Sequence, residues 1–185
     1  QEALTLSRQL GNKRQLSRAL SGLADLHLAE AKLDEARALY DEALALDRER
    51  GDLAIIGIDL SNLAMTSISL GLGDRARGLV REGLAIAEEI ESKRVGVGQL
   101  VCSAGLAASL SEWKCAGCLY GATEALWAQM GFHRERADEA FLAPLVARAR
   151  GALGDAAFTA AESAGRSLSY EEAIAQARAR LDEGS

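Results

Sequence analysis

The sequence predicts an all-α fold: an antiparallel helix-pair solenoid with a 40-residue period, about ten helices, and a C-terminal helical cap. Three observations carry this. Small and apolar residues recur every 40 positions without a gap, as in Leu20/Leu60/Leu100, Ala24/Ala64/Ala104, Ala36/Ala76/Ala116, Leu39/Leu79/Leu119, Tyr40/Val80/Tyr120 and Leu46/Ile86/Leu126. A fixed period in this range marks units that cannot bury an apolar face alone and must stack on neighbours. Hydrophobic residues make up 49% of 185 positions and Pro144 is the single proline, which provides for a continuous core of long helices. The breaks between helical stretches are short, so consecutive helices must be antiparallel neighbours.

Residues 1–12 read as the second helix of a truncated unit, because Gln1–Asn12 parallels Asp41–Asp52 in register. Gly11-Asn12 then gives a stop and an N-cap, and Gly51-Asp52 repeats that signal. Residues 13–30 form the next helix, with Leu16, Leu20, Leu23, Ala24 and Leu28 on one stripe. A break at 31–34 leads into a helix ending near Arg50. The third unit spans a helix over 53–70, a turn at 71–74 and a helix to about Glu91. The fourth runs over 93–110, turns at Ser111-Glu112 and continues to about Met130. The repeats therefore occupy 1–131, with 132–185 as a cap on the last repeat, since a solenoid needs an atypical end to hide its final apolar face. Within the cap, 134–152 is helical, with Pro144 kinking it or marking a restart. Gly154-Asp155 ends that helix and caps another, and Gly165 ends the second. Ser169 and Glu172 form a capping box, with Leu168 and Ala173 at the hydrophobic-staple positions, for a last helix over 170–181.

Composition narrows function. A net charge of -6 opposes nucleic-acid binding, and a 4% aromatic content leaves few rings for stacking on bases. Lysine and arginine are scattered among carboxylates at helical spacing, as on a solvated face. The longest uncharged run, Val95–Ser111, is short for a membrane span and contains Gln99 and several glycines. A helix buried among helices explains it, and no membrane segment is expected. Three cysteines make no disulfide framework at this length, so a cytoplasmic setting is expected. The chain opens on Gln1 inside a repeat, without an initiator methionine or signal peptide, which reads as a fragment of a longer protein.

No catalytic, cofactor or metal residues are assigned. Cys115-x-x-Cys118 places two sulfurs on one helix face, but a closed zinc site needs four ligands and only Cys102, His27 and His133 remain, widely spaced. The register sets Cys115 opposite Glu35 and Arg75, so the pair reads as ordinary helix residues. His27 occupies an aromatic-like packing position, and His133 follows a helix junction. Neither has a serine or cysteine nucleophile in a recognisable motif. The carboxylate pairs Glu88/Glu89 and Glu171/Glu172 sit on a helix face or in a first turn, where the helix dipole accounts for them. Trp113 and Trp127 read as packing residues near the two ends of one helix, Trp127 having an alternative role as a partner anchor.

Within a unit, Ala24, His27, Ala36, Tyr40 and Ala43 follow the small, aromatic and small positions of the tetratricopeptide repeat, whose usual period of about 34 residues is shorter. The matches at Ala64/Ala76/Val80/Gly83 and Ala104/Ala116/Tyr120/Thr123 are looser. A HEAT-like repeat is the structural alternative. The C-terminal half, through Trp113–Leu126, Ala149–Phe158 and Gly165–Ala173, resembles the tail of large bacterial multidomain regulators. These carry a signal-transduction ATPase module and a DNA-binding or nucleotide-cyclase output domain. The resemblance implies a regulatory or interaction module of a larger protein. It does not bring ATP hydrolysis or DNA binding to this segment, which lacks a phosphate-binding Gly-x-x-x-x-Gly-Lys-Ser/Thr loop.

In a tetratricopeptide-like stack the first helix of each pair lines the concave surface. Counting from the small positions gives Arg18, Ser21, Asp25, Ser61, Asn62, Met65 and Val101 as candidate partner contacts. Arg18 and Asn62 suit a carboxylate or peptide backbone, and Met65 is an adaptable apolar contact. The expected partner is a protein or peptide, including another domain of the parent chain. The alternatives are a small-molecule sensor with its ligand in the concave groove and, remotely, a stand-alone enzyme. Gly96, Gly98 and Gly105 weaken their helix by up to about 1 kcal/mol each, and serve either close packing or a soft element that moves on binding.

Overall fold

The computed structural model describes residues 12–132 and 136–183, in which every regular element is α-helical. Nine helices follow one another among the described residues. They are α1 (Lys13–Ala29), α2 (Leu33–Arg50), α3 (Leu53–Ser69), α4 (Gly73–Glu89), α5 (Lys93–Ser109), α6 (Trp113–Gln129), α7 (Arg136–Leu153), α8 (Asp155–Arg166) and α9 (Tyr170–Glu183). Of the helix expected over 1–12 only Asn12 is among the described residues, and His133 lies outside them.

The first six helices begin at 13, 33, 53, 73, 93 and 113, so each 40-residue unit is built from two 20-residue halves. Every half ends on the same backbone device. Ala31, Gly51, Gly71, Glu91, Ser111 and Gly131 all take the left-handed conformation, with φ of 51 to 75°. In five of these turns the following amide reaches back to the last helical turn, Leu72 N–H donating to Ser67 O and Glu112 N–H to Ala107 O at 2.8 and 2.9 Å. What separates the halves is the start. Asn12, Asp52 and Ser92, 40 residues apart, cap α1, α3 and α5 by accepting from the amides of Gln15, Ile55 and Val95. Lys32, Leu72 and Glu112, which precede α2, α4 and α6, provide no side-chain cap.

The hairpins α1/α2, α3/α4 and α5/α6 pack in series, and α3 also touches α5 directly. The residues in register are those that meet. Leu20, Leu60 and Leu100 are each 0% exposed, and Ala24, Ala64 and Ala104 are fully or almost fully buried where two helices cross. Each leucine contributes about 1.5–3 kcal/mol, while the alanines let the backbones approach.

Past Gly131 the chain folds back rather than only closing the end. Helix α7 packs on α5 and α6, α8 on α6 and α7, and α9 on α4, α5 and α6. Glycines make the landing places. A Cβ on Gly105 would overlap the Phe141 ring, one on Gly96 the Tyr170 hydroxyl, and one on Gly121 the Glu162 carbonyl. Close packing is therefore what the α5 glycines at 96 and 105 provide. The capping box forms as expected, with Ser169 N–H donating to Glu172 Oε2 at 2.8 Å and Glu172 N–H to Ser169 Oγ at 3.2 Å. At the other end of α9, Arg77 and Arg81 of α4 donate to carbonyls of its last turn, complementing the helix dipole.

Three local expectations change. Pro144 marks no restart, because α7 is continuous through it, with the proline on the solvent side. Asp155 is the first residue of α8 rather than its cap, a place taken by Gly154 at φ 84°. Gly165 does not end α8. It is a buried position inside the helix, where α8 meets the α6 backbone at the Cys118 carbonyl.

Candidate functional site

The first helices of the hairpins, α1, α3 and α5, form an inner face, and α7 lies against it. Spacing sets what each helix presents. Asp25 and Leu28, three apart on α1, share a face, as do Asn62, Met65 and Ser69 on α3. From α2 come Leu33 and Tyr40, and from the first turns of α7 come Ala137, Ala140 and Phe141. Together they line a chamber of about 420 Å³ that is open to solvent on one side, within the range of small-molecule sites. Phe141 is held as a wall because Gly105 gives its ring room on α5.

Two of the chamber's polar groups are tied to each other. Tyr40, 1% exposed, donates its hydroxyl proton to Asp25 Oδ1 at 2.5 Å. Burial, and then the Asp25 carboxylate, push the Tyr40 phenol far above its ordinary range, so it stays neutral. Ser69 Oγ donates to Met65 O at 3.0 Å, and the Asn62 carbonyl accepts from Thr66 Oγ1 at 2.8 Å. Beside Asn62 a smaller hollow of about 80 Å³ opens between α3, α5 and α7, lined in part by Ser61, Arg94, Trp127 and Asp138. Its floor is braced by Gln99, which donates to Gly57 O at 2.9 Å and Ser61 Oγ at 2.7 Å.

Of the residues expected to face a partner, Asp25, Asn62 and Met65 meet in the chamber, and Ser61 and Asn62 line the smaller hollow. Arg18 is exposed and Ser21 half-buried on α1, and neither lines either space. Val101 is a correction: at 2% exposure it belongs to the core. It sits one turn before Gly105, on the side of α5 that α7 covers. Tyr40 and Phe141 were not expected there. Tyr40 sits at a packing position of the repeat, and Phe141 lies beyond the last residue in register.

A second polar cluster lies inside the stack. Asp47 is 0% and Asp59 3% exposed, from adjacent helices α2 and α3. Asp47 accepts from Ser17 Oγ and pairs with Arg50. Burial, and then the neighbouring Asp47 carboxylate, raise Asp59 to about 7, and Asp59 Oδ2 has no hydrogen-bond partner. The register held the signal, since Asp47 falls on the position of Ala87, and Asp59 on that of Gln99.

The cysteine pair is half-buried. Cys118 Sγ contacts Gln176 Oε1 at 3.5 Å, and burial with the nearby Glu112 carboxylate pushes the Cys115 thiol up to about 11. The protonated Cys115 thiol is not the nucleophilic form. Among the described residues, no group of three His, Cys, Asp or Glu side chains is arranged to hold a metal. His27 is half-buried, and Trp127 packs edge-on to Phe132 with ring centroids 6.1 Å apart. Among the described residues, no helix is long and apolar enough to cross a membrane.

A cleft of about 460 Å³ between α4 and α9 rivals the chamber in size. Its charges are partly matched internally, Arg178 pairing with Glu88 at 2.7 Å and Lys93 lying over the Tyr170 ring at 5.4 Å. The inner-face chamber gathers three of the expected contacts. No protein-family model matches the chain, and a search of curated proteins finds no match to it.

Proposed function

We propose that the chain is a non-catalytic regulatory and interaction module, tetratricopeptide-like in kind, of a larger bacterial signalling or transcriptional regulator in the cytoplasm. The observation that carries this reading is α7. A helix of the chain already lies on the inner face, anchored by Phe141 against Gly105. Helix-in-groove contact of this sort is how such surfaces take partner segments. The partner is a protein or peptide, including another domain of the parent. The reading is tested by the full gene and by capture. An upstream ATPase module and an output domain that co-purify with this segment are expected. A short stand-alone gene would contradict it.

A second reading has its own observation. The chamber on the inner face is of small-molecule size and takes part of its wall from α7, which favours a sensor whose ligand alters how α7 sits on α5 and α6. Thermal unfolding across a metabolite panel tests it, because a ligand that binds the folded state alone raises the midpoint with the ratio of concentration to Kd.

A further inference from the structure

We propose that the inner-face chamber binds a small organic cation, an ammonium group carried on an apolar body. This rests on the sensor reading and names its ligand class.

The chamber offers acceptors and a negative charge. Its two hydroxyl groups have committed their protons inward, Tyr40 to Asp25 Oδ1 at 2.5 Å and Ser69 to the Met65 carbonyl at 3.0 Å. Both oxygens keep lone pairs for a donor. Asp25 Oδ2 has no hydrogen-bond partner among the described residues, and neither has the Asn62 side-chain amide. Asp25 is also the one charged side chain among the described residues that line the space. A ligand must therefore bring hydrogen-bond donors, and a positive charge is the complement of the carboxylate. An anion would meet that carboxylate with little besides the Asn62 amide to donate to it.

The rest of the wall suits the apolar body. Leu28, Leu33 and Met65 are aliphatic or soft, and half-buried Phe141 adds aromatic carbon to the wall beside the buried Tyr40. Phe141 belongs to α7, so occupancy of the chamber bears on how that helix sits against the inner face.

Titration calorimetry and thermal unfolding of the whole chain with phenethylamine and cadaverine test this. Phenethyl alcohol and phenylacetate serve as the neutral and anionic matches. Both amines are expected to bind and to raise the unfolding midpoint, less so at high salt. Asp25→Asn should weaken amine binding at least tenfold, while Asp34→Asn, an exposed carboxylate on α2, leaves it unchanged. Ala140→Phe, which adds a ring to the α7 wall of the chamber and keeps the Asp25 carboxylate, should abolish binding and guards against Asp25→Asn failing to fold. Amine binding that survives Asp25→Asn or Ala140→Phe would overturn the proposal. So would a failure of both amines to bind. Binding of the alcohol or phenylacetate as tightly as the amine, lost in Ala140→Phe, would overturn the cation while leaving the sensor reading in place.

Discussion

Gly165 of α8 lies so close to the carbonyl oxygen of Cys118 in α6 that a Cβ at 165 would overlap it. Gly121 of α6 meets the Glu162 carbonyl in the same way, so two glycines, one from each helix, set this crossing. Backbone cannot yield as a side-chain end can. Gly165→Ala is therefore expected to destabilise the chain by about 1–3 kcal/mol or more, a fall in Tm of roughly 2–4 °C per kcal/mol at this size. Gly151→Ala is the control. That exposed position within α7 has open space around a Cβ, and alanine should leave stability unchanged or raise it by up to about 1 kcal/mol. Thermal unfolding of both variants checks the contrast.

Glu91 and Ser111 adopt φ of 51° and 63° at turns where Gly51, Gly71 and Gly131 stand in the equivalent places. A side chain in the left-handed region costs about 1–2 kcal/mol. Glu91→Gly and Ser111→Gly should each stabilise the chain by about 0.5–1 kcal/mol once the greater freedom of unfolded glycine is subtracted. An increase in the urea midpoint with an unchanged slope is the expected result.

Asp59 is raised to about 7 from an ordinary 3.8 by burial and by Asp47. Between those values the folded chain holds a proton that the unfolded chain has released. The contribution of this group to stability is therefore greatest at the acid end, falls as pH rises through the window, and levels off above about 7. Asp59→Asn keeps a neutral side chain at every pH. It should be more stable than the parent at pH 8, on the order of 2–4 kcal/mol, with the difference shrinking toward pH 5. Denaturant titrations at both pH values measure it.

Asp47→Ala removes the group that Ser17 and Arg50 address and relieves the repulsion on Asp59. Two opposed effects follow. Loss of the buried acceptor should dominate below pH 6, costing about 1–3 kcal/mol. The cost should diminish at pH 8, where Asp59 no longer faces a second carboxylate. Unfolding free energies at the two pH values are the check.

The repeat made most of the scaffold legible. Helix ends recur because every 20 residues one position closes the helix in the left-handed region, and Gly51, Gly71 and Gly131 mark three of these directly. The core was readable because Leu20, Leu60 and Leu100 occupy one place in three successive packings. Register alone placed Asp25, Asn62 and Met65 on the inner face of a bare stack, where all three line the chamber. The same logic misplaced Val101, since it carries no information about a later helix folding back over α5. Phe141 and Tyr170 were illegible as anchors for that reason. Their partners, Gly105 and Gly96, are visible in sequence only as weak points of a helix, and the long-range contact gives them their role. Asp59 was readable as an acid on an apolar stripe, but its pairing with Asp47 depends on how α2 meets α3.

The position of α7 on the inner face forms one wall of the chamber and supports the regulatory reading, and Phe141 against Gly105 is one of the contacts that hold it. A double-mutant cycle on Gly105→Ala and Phe141→Ala measures that contact directly. Gly105→Ala is predicted to cost about 1–3 kcal/mol in the parent and little or nothing once Phe141 is alanine, because the added methyl then fills space the ring has left. The two changes should therefore be coupled by 1 kcal/mol or more, within the usual range of roughly 0.5–3 kcal/mol for residues in contact. Additive costs would mean that α7 does not lie where the chamber requires it.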